Sequence, residues 1–74
     1  MQTLREWRIR KLWSQAELAQ RSGVSVRTIV SIEAGTKMPR LLTMRRLADA
    51  LNVDWHEIDE FRVTVAELEE KVAA

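Results

Sequence analysis

Arg27, Val30, Ser31 and Ala34 share one side of a short helical stretch when successive residues are turned by about 100°, while Ile29 and Ile32 share the other with Glu33 at its flank. The outward side carries few charges for a surface chosen only for solubility. Its side chains suit recognition by contact. An arginine fork can bond two acceptors at once, the pattern that guanine shows in the major groove. A serine hydroxyl adds a shorter bond, and Val26 or Val30 offers apolar surface to a thymine methyl. Covalent chemistry has far less support. The chain has no cysteine and a single histidine, His56, beside Glu57, so neither a thiolate site nor a histidine pair for a metal is available. Asp54, Glu57, Asp59 and Glu60 cluster without the glycine and spacing of a calcium loop. No glycine-rich phosphate loop or nucleophile motif occurs. These absences predict no enzyme, no metal site and no cofactor.

The elements that must hold this face are legible on both sides of it. Ser14 has the position of a helix cap, and Glu17 three residues on predicts a capping box. Leu18 and Ala19 face inward, the latter small enough for a close helix crossing. Gly23 tolerates the left-handed backbone that stops one helix and turns the chain. Val24 plugs the corner, and Ser25 caps the second helix. Ahead of this pair, residues 2–12 read as a first helix, with Thr3 as cap and Leu4, Trp7, Arg8 and Lys11 or Leu12 along one side. Arg8 on an inward stripe needs a partner, because an unpaired buried guanidinium is costly; Glu33 is the natural one. The three tryptophans, Trp7, Trp13 and Trp55, read as packing residues, none of them on the outward face.

Gly35 ends the helix and Pro39 stops any continuation, so residues 35–40 read as a loop. Residues 41–51 form a further helix with Leu41, Met44, Leu47, Ala48 and Leu51 inward and Arg45 and Arg46 on or beside the exposed side. Asn52-Val53 is a turn, and Asp54 with Glu57 predicts a capping box for a short fifth helix that includes Ile58. Beyond Phe61 two patterns compete. Phe61, Val63 and Val65 alternate as a strand would, whereas Val65, Leu68 and Val72 form an apolar stripe at helical spacing, with another capping box over Thr64–Glu67. The reading adopted is an extended connector followed by a terminal helix, whose stripe packs on its own domain or on a second copy.

Seventy-four residues allow one small domain near the edge of independent stability, which favours a dimer. The net charge of +1 hides a strong polarity. Residues 1–46 hold ten Lys/Arg and three Asp/Glu, a balance of +7, and residues 47–74 hold two and eight, a balance of −6. One half suits a polyanion, and the other repels it or meets a protein. No apolar run approaches a membrane span, and Arg5-Glu6 does not suit a signal peptide, so a cytoplasmic protein is expected.

The run from Ser14 to Gly35, through Gln15, Leu18, Ala19, Gly23, Val24, Ile29, Ile32, Glu33 and Gly35, resembles the lambda-repressor/Cro-like helix-turn-helix family, the Xre-type regulators. The resemblance extends through Leu4, Trp7 and Arg8 before it and Pro39, Leu47, Ala48, Leu51 and Val53 after it, covering roughly residues 3–60. It implies an all-α, compact five-helix DNA-binding domain over residues 1–60, with the motif at about 14–34. Residues 61–74 then form a tail with a short extra helix, a dimerisation element. It implies sequence-specific binding of double-stranded DNA by a homodimer on a palindromic operator, as a transcriptional regulator, a repressor rather than an activator. In the family the glutamine matching Gln15 holds a backbone phosphate, and residues matching Arg8 and Glu33 form a structural ion pair. Arg27 is the first candidate for base reading, with Val26, Val30 and Ser31. Ser25 and Thr28 are mixed candidates for base or phosphate. Lys37 and Arg40, with Arg10 and Lys11 behind them, are phosphate candidates; for Arg10 a solvated charge is the favoured reading. Two positions depart from the pattern. Leu12 stands where relatives often have glycine, which costs roughly 1–2 kcal/mol if the backbone there is left-handed, unless the turn is built differently or Trp13 compensates. Ala34 replaces a polar side chain that often contacts phosphate. The alternative reading is an antitoxin-like or other protein-interaction module of the same fold, working through its acidic C-terminal half.

Overall fold

Thr3 starts the first helix by a reciprocal cap. Its hydroxyl accepts from the Glu6 amide at 3.2 Å, and its own amide donates to Glu6 Oε1 at 2.9 Å, so two otherwise unpaired N–H groups are satisfied together. The computed structural model describes residues 2–73; residues 1 and 74, the outer limits of the domain and tail expected above, lie outside the described residues. Within them the order is α1 (Leu4–Arg10), α2 (Gln15–Ser22), α3 (Val26–Ala34), α4 (Leu41–Leu51), a single 3-10 turn (Trp55–Glu57) and α5 (Asp59–Ala73). Five α-helices and no strand make the described residues all-α; the one β-type pairing is an isolated bridge between Gln2 and Ile58.

Leu4, Leu18, Ile29, Leu47, Leu51, Ile58 and Phe61 are each wholly buried, so every helix and the segment before α5 contribute to one core. Val24 closes the α2–α3 corner at 7 % exposure. Three of the helices end alike. After α1, Trp13 N–H reaches Arg8 C=O and Leu12 N–H reaches Ile9 C=O; Thr36 and Gly35 repeat this after α3, and Val53 and Asn52 after α4. This crossed pair of bonds satisfies the last carbonyls and needs a left-handed residue at the crossing. That residue is Gly35 after α3, Asn52 after α4 and, after α1, Leu12 at φ +62°.

Several boundaries differ from the sequence reading. The first helix is shorter than 2–12, because Gln2 is drawn into pairing with the far end of the chain and Leu12 turns the backbone at the other end. Gln2 N–H donates to Glu57 C=O, and Asp59 N–H donates back to Gln2 C=O. Lys11 and Leu12 both face solvent. At Ser14 only half of the expected capping box forms. Ser14 Oγ accepts from Glu17 N–H, but the Glu17 carboxylate is taken by Arg21 Nε at 2.9 Å. The short fifth helix over Asp54–Ile58 is a single 3-10 turn, and Ile58 itself is extended in order to pair with Gln2. There is no extended connector after Phe61. α5 runs unbroken from Asp59, and the Thr64 hydroxyl donates back to Glu60 C=O at 2.9 Å instead of capping a new helix. Leu41, expected inward, is 66 % exposed at the first turn of α4. No described helix is long and apolar enough to cross a membrane.

Candidate nucleic-acid interface

The outward face of α3 is held up by a polar cluster behind its last turn. Arg8 Nε donates to Glu33 Oε2 at 2.8 Å and Arg8 Nη2 donates to Glu33 Oε1 at 3.0 Å, a two-pronged ion pair. The side chains are only 11 % and 6 % exposed. Arg8 Nη1 donates to the Trp13 carbonyl at 2.9 Å, and Gln15 Nε2 donates to Glu33 Oε1 at 3.1 Å. One guanidinium therefore fixes α1, the turn after it and α3, while Gln15 ties the start of α2 to the same carboxylate. The guanidinium pKa is pushed above its usual value, chiefly by the bond to Glu33. Glu33 is the only acidic residue of α3, and this pairing leaves the outward side of the helix without a free negative charge.

On that outward side Arg27 and Ala34 are exposed, Val26 and Val30 are each 42 % exposed, and Ser31 is half-buried at the edge. Gly23 at φ +76° makes the turn that sets α3 across α2. Ser25 then caps α3, accepting from Thr28 N–H at 3.2 Å and donating to Thr28 Oγ1 at 2.9 Å. The two hydroxyls are thus engaged with each other. Thr28 keeps one hydroxyl proton for an outside acceptor. Gln15 likewise commits one amide proton to Glu33 and retains the other.

Lys37 and Arg40 are exposed and line one shallow depression with Thr28 and Thr43. Arg40 is also the N-cap of α4, and no side chain caps that helix. The structure thus brings Thr28, Lys37 and Arg40 together, and joins Gln15 to the far end of the same helix through Glu33. Thr43 was missed by the sequence reading; its one signal was a polar residue in the first turn of a helix that lacks a capping side chain. Arg10 lies over the Trp7 ring, 5.3 Å from its centroid, and Lys11 is exposed in the turn after α1. Trp7 donates to the Glu57 carbonyl, Trp13 is covered by Arg21, and Trp55 lies beside the α4–α5 groove. None of them is on the α3 face.

The arrangement is two short helices joined by a tight left-handed turn, the second presenting a mildly basic face. A family model described as helix-turn-helix matches residues 4–58. The chain belongs to the lambda-repressor/Cro-like helix-turn-helix family. No curated protein and no solved structure matches it. The helix-turn-helix itself is α2, the turn through Gly23 and α3. The family is a DNA-binding, regulatory one, and as a domain of it the chain binds double-stranded DNA and is a transcription regulator. The match starts at the first residue of α1 and stops just before α5, so α5 completes the core from outside the matched helix-turn-helix region.

Proposed function

We propose that this chain is a sequence-specific, cytoplasmic transcriptional repressor that binds a palindromic operator as a homodimer. The exposed row of Val26, Arg27 and Val30 on a helix braced by a buried ion pair is the observation that carries it. In this reading α3 enters the major groove. Arg27 bonds paired guanine acceptors, Ser31 bonds a neighbouring edge, and Val26 and Val30 meet thymine methyls. Gln15, Lys37 and Arg40 hold the flanking backbone, so they set register without selecting sequence, while Ser25 and Thr28 touch base or phosphate. Arg8 and Glu33 contact no DNA and keep α3 at its angle. Repression is favoured over activation because occupying an operator needs no additional surface.

A homodimer is supported by the groove that Leu41, Val65, Leu68 and Val72 line between α4 and α5, with almost no polar surface. Residues 61–74, whose Phe61 also packs in the domain core, then act as the dimerisation element. The same groove and the acidic residues of α5 also support the rival reading, an antitoxin-like module whose partner is a different protein. Sedimentation of the purified chain separates the two: a dimer supports the first, and a monomer that dimerises on no DNA removes it.

The roles are tested by gel shift across a salt series. Arg27→Ala weakens the selected duplex by about 1–3 kcal/mol and blurs preference at one base position. Lys37→Ala weakens all sequences alike and lowers the salt slope by about one. Identical behaviour of the two variants removes the assigned roles, and failure to select any duplex from a random pool removes the reading.

A further inference from the structure

The outward face of α3 is divided lengthwise. Val26, Val30 and Ala34 stand at four-residue intervals on one row, and Arg27 and Ser31 stand on the row beside it. Both valines are 42 % exposed, which leaves about half of each side chain free to lose water to a ligand. The segment Val26–Ala34 contains no asparagine or glutamine. Adenine shows a neighbouring acceptor and donor that only such an amide bonds at both points. Gln15, at the start of α2, has one of its amide protons bonded to Glu33. Nothing on α3 can therefore recognise an A·T pair from its adenine side in that way. What the valine row can recognise is the other member of the pair, through the methyl group on thymine C5.

We infer that this protein responds to methylation of cytosine C5, because Val26 and Val30, which meet thymine methyls in the reading above, accept a methylated cytosine in their place. The inference rests on the DNA-binding reading above and goes further, to the chemical group recognised. Four residues of helix advance about 6 Å, and bases on one strand are about 3.4 Å apart. The two valines thus address methyls on different base pairs about one to two steps apart, while Arg27 bonds a guanine alongside. A methyl on cytosine C5 occupies the same place in the groove as that of thymine. A C·G pair placed at either valine position is therefore a poor site when bare and a better one when methylated.

The test starts from a duplex selected by the purified chain from a random pool. Each thymine of the half-site is replaced in turn by uracil, which removes the methyl and keeps every hydrogen-bonding group. Gel shifts compare the wild type with Val26→Ala and Val30→Ala, both exposed positions at which alanine favours the helix. The wild type loses about fourfold in affinity at each of two positions, the worth of one methyl group withdrawn from water. Val30→Ala abolishes the uracil effect at one of these positions and Val26→Ala at the other. At the same positions 5-methylcytosine binds about fourfold better than cytosine. Uracil tolerated at every position, or an unchanged uracil penalty in both variants, overturns the inference while DNA binding stands. A chain that selects no duplex overturns the DNA-binding reading and this inference with it.

Discussion

Replacing Leu12 by glycine stabilises the protein. Leu12 is the left-handed residue in the turn after α1, at φ +62°, and its side chain is 91 % exposed. A branched residue in that conformation brings Cβ too close to the following carbonyl oxygen, at a cost of roughly 1–2 kcal/mol. Glycine removes that clash but gives the unfolded chain more freedom, which takes back about 0.4–1 kcal/mol. So little of the leucine is buried that its packing adds almost nothing to the balance. The two turn bonds, Leu12 N–H to Ile9 C=O and Trp13 N–H to Arg8 C=O, use backbone groups alone and survive the change. The net gain lies within about 0–1.6 kcal/mol and centres on about 0.8 kcal/mol, which raises the melting temperature by about 3–6 °C for a domain of this size. Thermal and urea unfolding followed by circular dichroism measure it. Leu12→Ala is the control, because alanine keeps the Cβ and its clash, and it leaves stability nearly unchanged. The reasoning fails if Leu12→Gly is no more stable than wild type, or if Leu12→Ala gains as much.

Other outcomes follow from the same geometry. Arg8→Ala strips the nearly buried Glu33 carboxylate of its two charged donors and costs about 3–5 kcal/mol, read from the urea midpoint; a loss below 1 kcal/mol shows that the pair does not brace α3. Glu6 is held below the usual carboxylate range by the Thr3 amide first and the Thr3 hydroxyl second. Its contribution is therefore complete above the unfolded-chain pKa and lost as pH falls through the lowered value. The stability gap between wild type and Glu6→Gln is largest near neutral pH and closes on acidification; a gap independent of pH refutes the cap as its source. If the proposed homodimer forms through the apolar α4–α5 groove, Leu68→Glu puts a charge there and shifts the chain to monomer in sedimentation, without moving the thermal transition of the monomer by more than a few degrees. A dimer that persists in that variant places the interface elsewhere.

The α2–α3 pair was readable from the sequence because its signals are local. Serines stand at both caps, a glycine stands where the turn needs one, and isoleucines three apart mark the buried side. The Arg8–Glu33 contact was readable for a different reason: a charge on an inward stripe needs an opposite charge, and only one acidic residue lies on α3. What could not be read depends on distant partners. Nothing near Gln2 announces that it pairs with Ile58, and this pairing both shortens α1 and reduces the segment before α5 to one 3-10 turn. Phe61, Val63 and Val65 alternate as a strand would, yet Phe61 belongs to the core and Val63 to the surface of one continuous helix. Period two and period 3.6 cannot be told apart over five residues. Leu41 fits the inward stripe of α4 by spacing, but at the first residue of that helix it faces the open groove beside α5 while Met44 reaches the core.

The Gln2–Ile58 bridge has a bearing on how the protein comes into being. Alongside it Glu60 Oε1 accepts from the Leu4 amide at 2.8 Å and the Glu57 carbonyl accepts from the Trp7 indole at 2.9 Å. The start of α1 is thus fastened by groups 50 and 56 positions downstream. On a ribosome α2 and α3 emerge with their turn chemistry complete, but the core that buries Leu4 is not closed until Ile58 and Phe61 have left the exit tunnel. A nascent chain cannot hold the reading head at its working angle until the segment from Glu57 to Phe61 has been made. A message broken before codon 58 yields the family's recognition motif without the clasp that seats it.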